Sequence, residues 1–158
     1  MLDVIFALKF IHVLAAAVML GVWLCLALFM VLAHRSGNPP VIAVATQLVV
    51  SIEKAVMPVA IAAEPISGFP LGWAIGLSFN EFWIVVSLAI FAAIAVGWIA
   101  AFRLETRMRS MSREAALNAV PMPDRYRFLF RIWSALAIMM LLAMTSAVAM
   151  MIWQPRLD

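Results

Sequence analysis

Lys9 and His12 are the first residues in the chain whose side chains could do chemistry. They are three positions apart, so they share one face of a helix, and Ala16 and Met19 continue that face at helical spacing. An imidazole in an apolar helix can ligate heme iron, bind copper or hydrogen-bond to a neighbouring helix. The pattern of a polar pair followed by a small residue indicates a helix that holds another group.

Glu64 is the second candidate, because it is an ionisable group in an otherwise apolar stretch. It stands directly before Pro65, and Ser67 follows one turn later. A carboxyl inside a membrane is costly and indicates a functional site when a partner can be named. We expect an ion pair between Lys9 and Glu64 that leaves His12 free. In the same outer leaflet we expect further polar groups, namely Ser67, Ser87, Thr145 and Ser146.

The second histidine cannot join this site. His34 lies 22 positions after His12, or about 33 Å along a straight helix, so the two rings cannot ligate one cofactor. We expect His34 to be a cation near the end of its helix. A heme at His12 would be five-coordinate, or would take a methionine, a lysine or a ligand from a partner chain.

The composition predicts the kind of structural element that holds these residues. Of the 158 residues, 67% are hydrophobic and 12% are charged, and the mean hydropathy is +1.09. These values are typical of an integral membrane protein. The sequence predicts one all-α membrane domain, residues 1–158, built as a four-helix bundle with spans at about 4–33, 55–79, 82–102 and 128–153. The amino terminus lacks a basic region, so helix 1 is not expected to be a cleaved signal.

The second span is the irregular one. Pro58, Pro65 and Pro70 fall within thirteen positions, and each interior proline removes a backbone hydrogen bond. We expect a kinked or locally broken helix. Its lead-in from Val41 is expected to lie along the membrane interface or to emerge from it.

An arginine-rich segment separates the last two spans. It runs from Arg103 to Arg131 and holds seven arginines against three acidic residues. We expect a helical extension of span 3, ended by the prolines before Asp124. The positive-inside rule places this segment in the cytoplasm and both termini in the periplasm of a bacterial inner membrane. The arginines then face lipid headgroups, and nucleic acid is not an expected partner.

Several short stretches resemble the CopD/HemJ superfamily of four-helix bacterial membrane proteins. They are KFIHV at Lys9, AHRSGNP at His34, EPISG at Glu64 and PDRYRFLFRIW before the last span. The closest likeness is to an uncharacterised DUF-type branch, and it covers nearly the whole chain. The resemblance implies heme b binding and porphyrinogen oxidation on the HemJ side and copper handling on the CopD side. Only Lys9, His12 and His34 carry over from its pattern.

The chain departs from the HemJ pattern within the last two spans. The HemJ pattern has Lys and His in span 3, where this chain has Ser87 and the Gly97–Trp98 region. It has an Asn-Glu pair in span 4, where Ser134 and Ala135 stand. Protoporphyrinogen oxidase activity is therefore not expected.

The sequence leaves three hypotheses for the function. The first is a heme b-binding protein of electron transfer or heme handling, with His12 as axial ligand, Lys9 near a propionate and Glu64 as a proton-relay carboxyl. The second is a cofactor-free helper or interaction subunit, in which Ala17 and Gly21 serve helix association. The third is copper handling, since thioethers suit Cu(I). We expect the protein to form a homo-oligomer or to interact with a redox partner in the membrane.

Overall fold

Four long helices make up the part of the chain that the structure describes, residues 2–155 of a computed structural model. They are α1 (Leu2–Ser36), α2 (Pro39–Ala74), α3 (Phe82–Leu117) and α4 (Asp124–Trp153). Each is long and apolar enough to cross a membrane. Neighbours along the chain pack side by side, and α1 also touches α4 over a smaller area. The predicted all-α four-helix fold is confirmed.

The helix ends follow local residue chemistry. Gly37 takes a positive φ of 63° after α1, and Pro39 opens α2, a position where a missing N–H costs nothing. Helix α2 ends at Ala74, five residues before the predicted limit of span 2, and Gly76 takes a positive φ of 72° in the turn that follows. Phe79 therefore lies in the loop after the helix. Its ring packs back against Phe69 and Trp73 of α2.

Helix α2 is continuous through all three interior prolines. The expectation of a local break is therefore wrong, while the kink stays a prediction. The lead-in from Val41 is not a separate interfacial segment, because it forms the first turns of the same helix. Its buried residues Ile42, Thr46 and Val49 recur every three or four positions and pack inside the bundle, which holds this part in line with the rest.

Helix α3 continues past Arg103 to Leu117 without interruption, so the predicted helical extension is confirmed. The start of α2 packs along it, since the hydroxyl groups of Thr46 and Ser112 lie 2.9 Å apart. We call this end of the bundle, with the α1–α2 and α3–α4 connections, the arginine end. The opposite end, with both chain termini, is the terminal end.

The helices are longer than a bilayer requires. Helix α3 is 36 residues long, or about 54 Å, against a hydrocarbon core of about 30 Å. Charged residues recur on α3 from Arg103 onward, so the apolar belt that all four helices share runs from the terminal end to about this level. On α2, the residues from Glu53 to Ala74 cover the same distance, about 32 Å.

The surface at the arginine end is not uniform. On the α1–α2 side it stays apolar beyond the shared belt, with a groove of about 670 Å³ lined by residues such as Phe29, Leu32, Val44 and Leu48. On the α3 side it carries exposed arginines.

Gly21 is exposed on α1, and a Cβ added there would meet nothing within 4 Å. Ala17 is exposed as well, so this small pair does not bring helices together within the chain.

Candidate functional site

The ring of His12 lies between α1 and α2, against the backbone of Gly68. A Cβ added to Gly68 would lie 2.9 Å from Cε1 and 3.2 Å from Nδ1 of the ring. No larger residue at position 68 leaves the ring where it is. The imidazole is half-buried, with 17% of its side chain exposed. The glycine therefore creates the space that lets this polar ring enter the interface between two apolar helices.

Three oxygen atoms of α2 surround Nδ1 of His12. They are Oε2 of Glu64 at 3.1 Å, the backbone carbonyl of Glu64 at 3.2 Å and the hydroxyl of Ser67 at 3.3 Å. Glu64 and Ser67 are themselves buried, with 7% and 1% of their surfaces exposed. The polar groups of one helix turn of α2 thus converge on a single nitrogen of α1.

These partners fix the tautomer of the ring. The carbonyl of Glu64 can only accept a hydrogen bond. The hydroxyl of Ser67 donates to the carbonyl of Ala63, at 2.5 Å, so its oxygen is free to accept. Nδ1 must then carry the hydrogen. In the neutral ring, Nε2 holds a lone pair, and it makes no hydrogen bond within residues 2–155.

This arrangement has the chemistry of an oriented ligand. A histidine that ligates a metal generally donates its other N–H to a carboxylate or a carbonyl, which sets the tautomer and makes the ligating nitrogen more basic. His12 has both kinds of acceptor at Nδ1. Glu64 also keeps its second oxygen, Oε1, buried and without a partner. The site is therefore one available imidazole nitrogen with a supporting carboxyl behind it.

The other predicted site residues lie apart from this contact. Lys9 is exposed, and the ion pair of Glu64 is with His12, so the expected Lys9–Glu64 pair is wrong. The packing of α1 on α2 explains the difference, because Glu64 lies closer to the level of His12 than to that of Lys9, one turn earlier on α1. Ala16 is half-buried one turn further along. Met19 is 4% exposed and belongs to the apolar core.

The predicted convergence of polar groups is only partly right. Ser67 contacts His12, but Ser87 is buried with its hydroxyl unpartnered. Thr145 and Ser146 are exposed, and the hydroxyl of Thr145 donates to its own helix, to the carbonyl of Leu141. A hydroxyl bonded to its own helix does not need a partner elsewhere.

The depth of the contact in the apolar belt can be counted along α2, while its place in the outer leaflet stays a prediction. Glu64 is 11 positions from Glu53 and 10 from Ala74, which puts it near the middle of the belt that all four helices share. The sequence estimate counted the whole of residues 4–33 as the first span. The last third of α1 instead packs beside the extensions of the other helices.

His34 is far from the site, as predicted, and its role as a cation near the helix end stays a prediction. Its ring stacks on Phe130, with centroids 3.7 Å apart and planes 9° from parallel, and Tyr126 stacks at 5.8 Å. The imidazole therefore joins the packing of α1 against α4.

A second polar contact at the arginine end was not foreseen. The indole N–H of Trp133 donates to Oε1 of Glu105 at 2.7 Å, and Glu53 of α2 lies next to this carboxyl. Neither glutamate was predicted to be a site residue. Helical spacing does place them with buried positions, since Glu105 is four residues from Ala101 and three from Met108. That periodicity was the available signal.

The link between His12 and Glu64 is testable through stability. Replacing His12 or Glu64 by leucine should destabilise the α1–α2 interface by about 0.5–2 kcal/mol, the range for interhelical hydrogen bonds in membranes. The double variant should lose less than the sum, because the two groups share one interaction. Thermal unfolding in detergent measures this. Lys9→Leu is the control, and a coupling of Glu64 to Lys9 instead of His12 would contradict the geometry.

The family comparison agrees with a membrane fold along nearly the whole chain. A profile described as predicted integral membrane protein, DUF2269, matches residues 6–155. No curated protein and no solved structure matches the chain. The family match and the four apolar helices together make this a multi-pass membrane protein, while the likeness to the CopD/HemJ superfamily stays a prediction. The chain belongs to the DUF2269 family of predicted integral membrane proteins.

Proposed function

We propose that this protein binds heme b through Nε2 of His12 and serves electron transfer or heme handling in the membrane. The observation that carries the proposal is the set of three acceptors at Nδ1, which leaves the lone pair of Nε2 available. When bound, heme supplies one-electron chemistry that no side chain here can provide. The superfamily resemblance at Lys9 and His12 points the same way.

The chain's own residues have distinct parts in this proposal. Glu64 and Ser67 hold the ring of His12 in one tautomer and one orientation. Lys9 is exposed one turn nearer the terminal end, where its ammonium group suits a propionate carboxylate. Ala16 lies one turn beyond His12 and leaves room because its side chain is a single methyl. The sixth coordination position would be vacant or filled from outside the chain, since no second histidine is within reach.

Copper is less well supported by the same atoms. A copper site needs two or more soft or nitrogen ligands within bonding distance. His12 and Met19 are seven positions apart, or about 10 Å along the helix, so they cannot bind one ion. No group of three or more His, Cys, Asp or Glu side chains arranged to hold a metal occurs within residues 2–155.

The cofactor-free alternative rests on one observation. Every hydrogen bond of the His12 ring within the described residues goes to α2, and such a contact also joins two helices without any ligand. Exposed Ala17 and Gly21 on α1 would then be available to a second chain. This alternative predicts a protein with no visible absorption band, so the spectrum decides between the two readings.

We also propose that the protein lies in a bacterial inner membrane with the arginine end in the cytoplasm and both termini in the periplasm. The exposed arginines of α3 and α4 support this orientation. After Cys25→Ala, single cysteines introduced at Val4 and at Asn118 provide the test in intact cells. An impermeant maleimide should label position 4 and leave position 118 unlabelled until the cells are lysed. The reverse pattern would overturn the orientation.

The heme proposal is tested by reduced-minus-oxidised absorption spectra of protein purified in detergent after heme was supplied during expression. The wild type should show the Soret and visible bands of b-type heme. His12→Ala should remove them, and Glu64→Gln should weaken heme binding by about 10-fold or more, as losing the partner of a metal ligand does. Gly68→Ala should also weaken the bands, because its methyl group takes the space of the His12 ring.

A matched control separates this effect from general crowding of α2. Gly72→Ala lies one turn further on, and its added Cβ would come 2.9 Å from Cζ of Phe79, so it crowds an aromatic ring that is not part of the site. Its spectrum should equal that of the wild type. Bands that survive in His12→Ala would disprove the ligand assignment. A wild type without bands and without copper by metal analysis would favour the cofactor-free reading.

A further inference from the structure

Two carboxyl groups are buried next to each other where α2, α3 and α4 meet. Glu53 is 2% exposed and Glu105 is 1% exposed, and the two groups lie within hydrogen-bonding reach. They belong to the start of α2 and to the extension of α3, at the arginine edge of the shared apolar belt. The His12 site is about 16 Å away along α2, so this is a separate feature of the bundle.

Among the residues that the structure describes, no cation neutralises the pair. The ion pairs within residues 2–155 are His12–Glu64 and Arg127–Asp124, and neither involves these two glutamates. The basic residues nearest in sequence, Lys54, Arg103 and Arg107, have exposed side chains. Arg131, two residues before Trp133, is also exposed. Arg109, one turn after Glu105, is half-buried but makes no ion pair within residues 2–155. Helix α1 carries no titratable side chain between His12 and His34 except Cys25, which is exposed. The groups that face the pair are thus the indoles of Trp98 and Trp133.

The hydrogen bonds of the pair are incomplete without a proton. Oε1 of Glu105 accepts from the indole of Trp133 at 2.7 Å. The two Oε2 atoms, one on each glutamate, are buried and have no partner. Two adjacent carboxylates in such a place would repel each other with little solvent to screen them, and Oε2 of each would lack a donor. A carboxylic acid beside a carboxylate removes one charge and supplies the missing donor.

We propose that Glu53 and Glu105 form a proton-binding site in which one proton is held between the two carboxyl groups at neutral pH. This joins α2 to α3 by a hydrogen bond, as the hydroxyl pair of Thr46 and Ser112 does two turns further on. Loss of the proton leaves two unneutralised charges between these helices. The site therefore makes the packing of the arginine end sensitive to proton concentration.

The sign of the effect on stability follows from linkage. The folded state holds a proton that the exposed glutamates of the unfolded chain would release, so unfolding releases protons near neutral pH. Stability then falls as the pH rises. An exposed glutamate on the same helix should make no such contribution, and Glu114 of α3 is one.

The test is thermal unfolding in detergent between about pH 5.5 and 9 at constant ionic strength. The unfolding midpoint of the wild type should fall by several degrees over this range. The double variant Glu53→Gln/Glu105→Gln should lose most of that fall, since two amides bond to each other without a titratable proton. Glu114→Gln is the matched control and should keep the wild-type slope.

Three results would overturn the proposal. They are a wild type with no fall, a double variant with the wild-type slope, and a midpoint that Na⁺ or K⁺ raises at fixed pH in the wild type but not in the double variant. The last result would mean that a metal cation occupies the pair.

If the double variant does not fold, infrared spectroscopy of Glu105→Gln tests for the shared proton instead. The wild type should show a carboxylic acid C=O band at neutral pH that this variant lacks and that Glu114→Gln keeps. Identical bands in wild type and Glu105→Gln would contradict the shared proton.

Discussion

Within an apolar bundle, the N–H of an imidazole must find its acceptor in the protein itself, and at His12 all three acceptors come from one turn of α2. The requirement acts on both helices, because Glu64 and Ser67 are also buried there and need partners of their own. It also explains Gly68, since any side chain at that position would displace the ring. One nitrogen thereby fixes the register of α1 against α2 and the direction in which the opposite nitrogen points.

The length of the helices creates a second region with a different physical character. A belt of about 30 Å suffices to cross the bilayer, but the helices continue past it, and α2 and α3 remain packed there. Buried polar pairs are added there to apolar packing that continues with Met30, Met108 and Met122. Glu53 meets Glu105 at the edge of the belt, and Thr46 meets Ser112 beyond it. Protonation chemistry can thus reside at the arginine end while the His12 site lies within the belt.

The sequence was sufficient for the fold because long apolar segments predict membrane helices, and the proline- and glycine-containing stretches between them predict where those helices end. It also identified His12, Glu64 and Ser67, since polar groups in apolar segments are costly unless they have a partner or a function. It did not predict which of them pair. Lys9 and His12 are one turn apart on the same face, and only the packing of α1 on α2 decides which of them lies level with Glu64.

Other features were missed for a related physical reason. The limit of span 2 was placed too late because Phe79 is apolar, although the helix already ends at Ala74 and Gly76 takes a positive φ in the turn that follows. Glu53 and Glu105 were not predicted to be buried, because charged residues surround them in sequence. Their helical spacing with buried neighbours shows otherwise, but whether two such stripes face each other depends on how α2 and α3 pack. Burial of a charge is a property of the assembled bundle.

The proposed role of His12 depends most directly on which ring nitrogen carries the hydrogen. Nitrogen NMR of the ¹⁵N-histidine-labelled protein in lipid bilayers without added heme, with His34→Gln to isolate the signal, measures this. We expect a hydrogen on Nδ1 and a bare Nε2, and we expect Glu64→Leu to disturb the Nδ1 resonance. A neutral ring with its hydrogen on Nε2, unchanged in Glu64→Leu, would show that Glu64 and Ser67 do not orient His12 as a ligand.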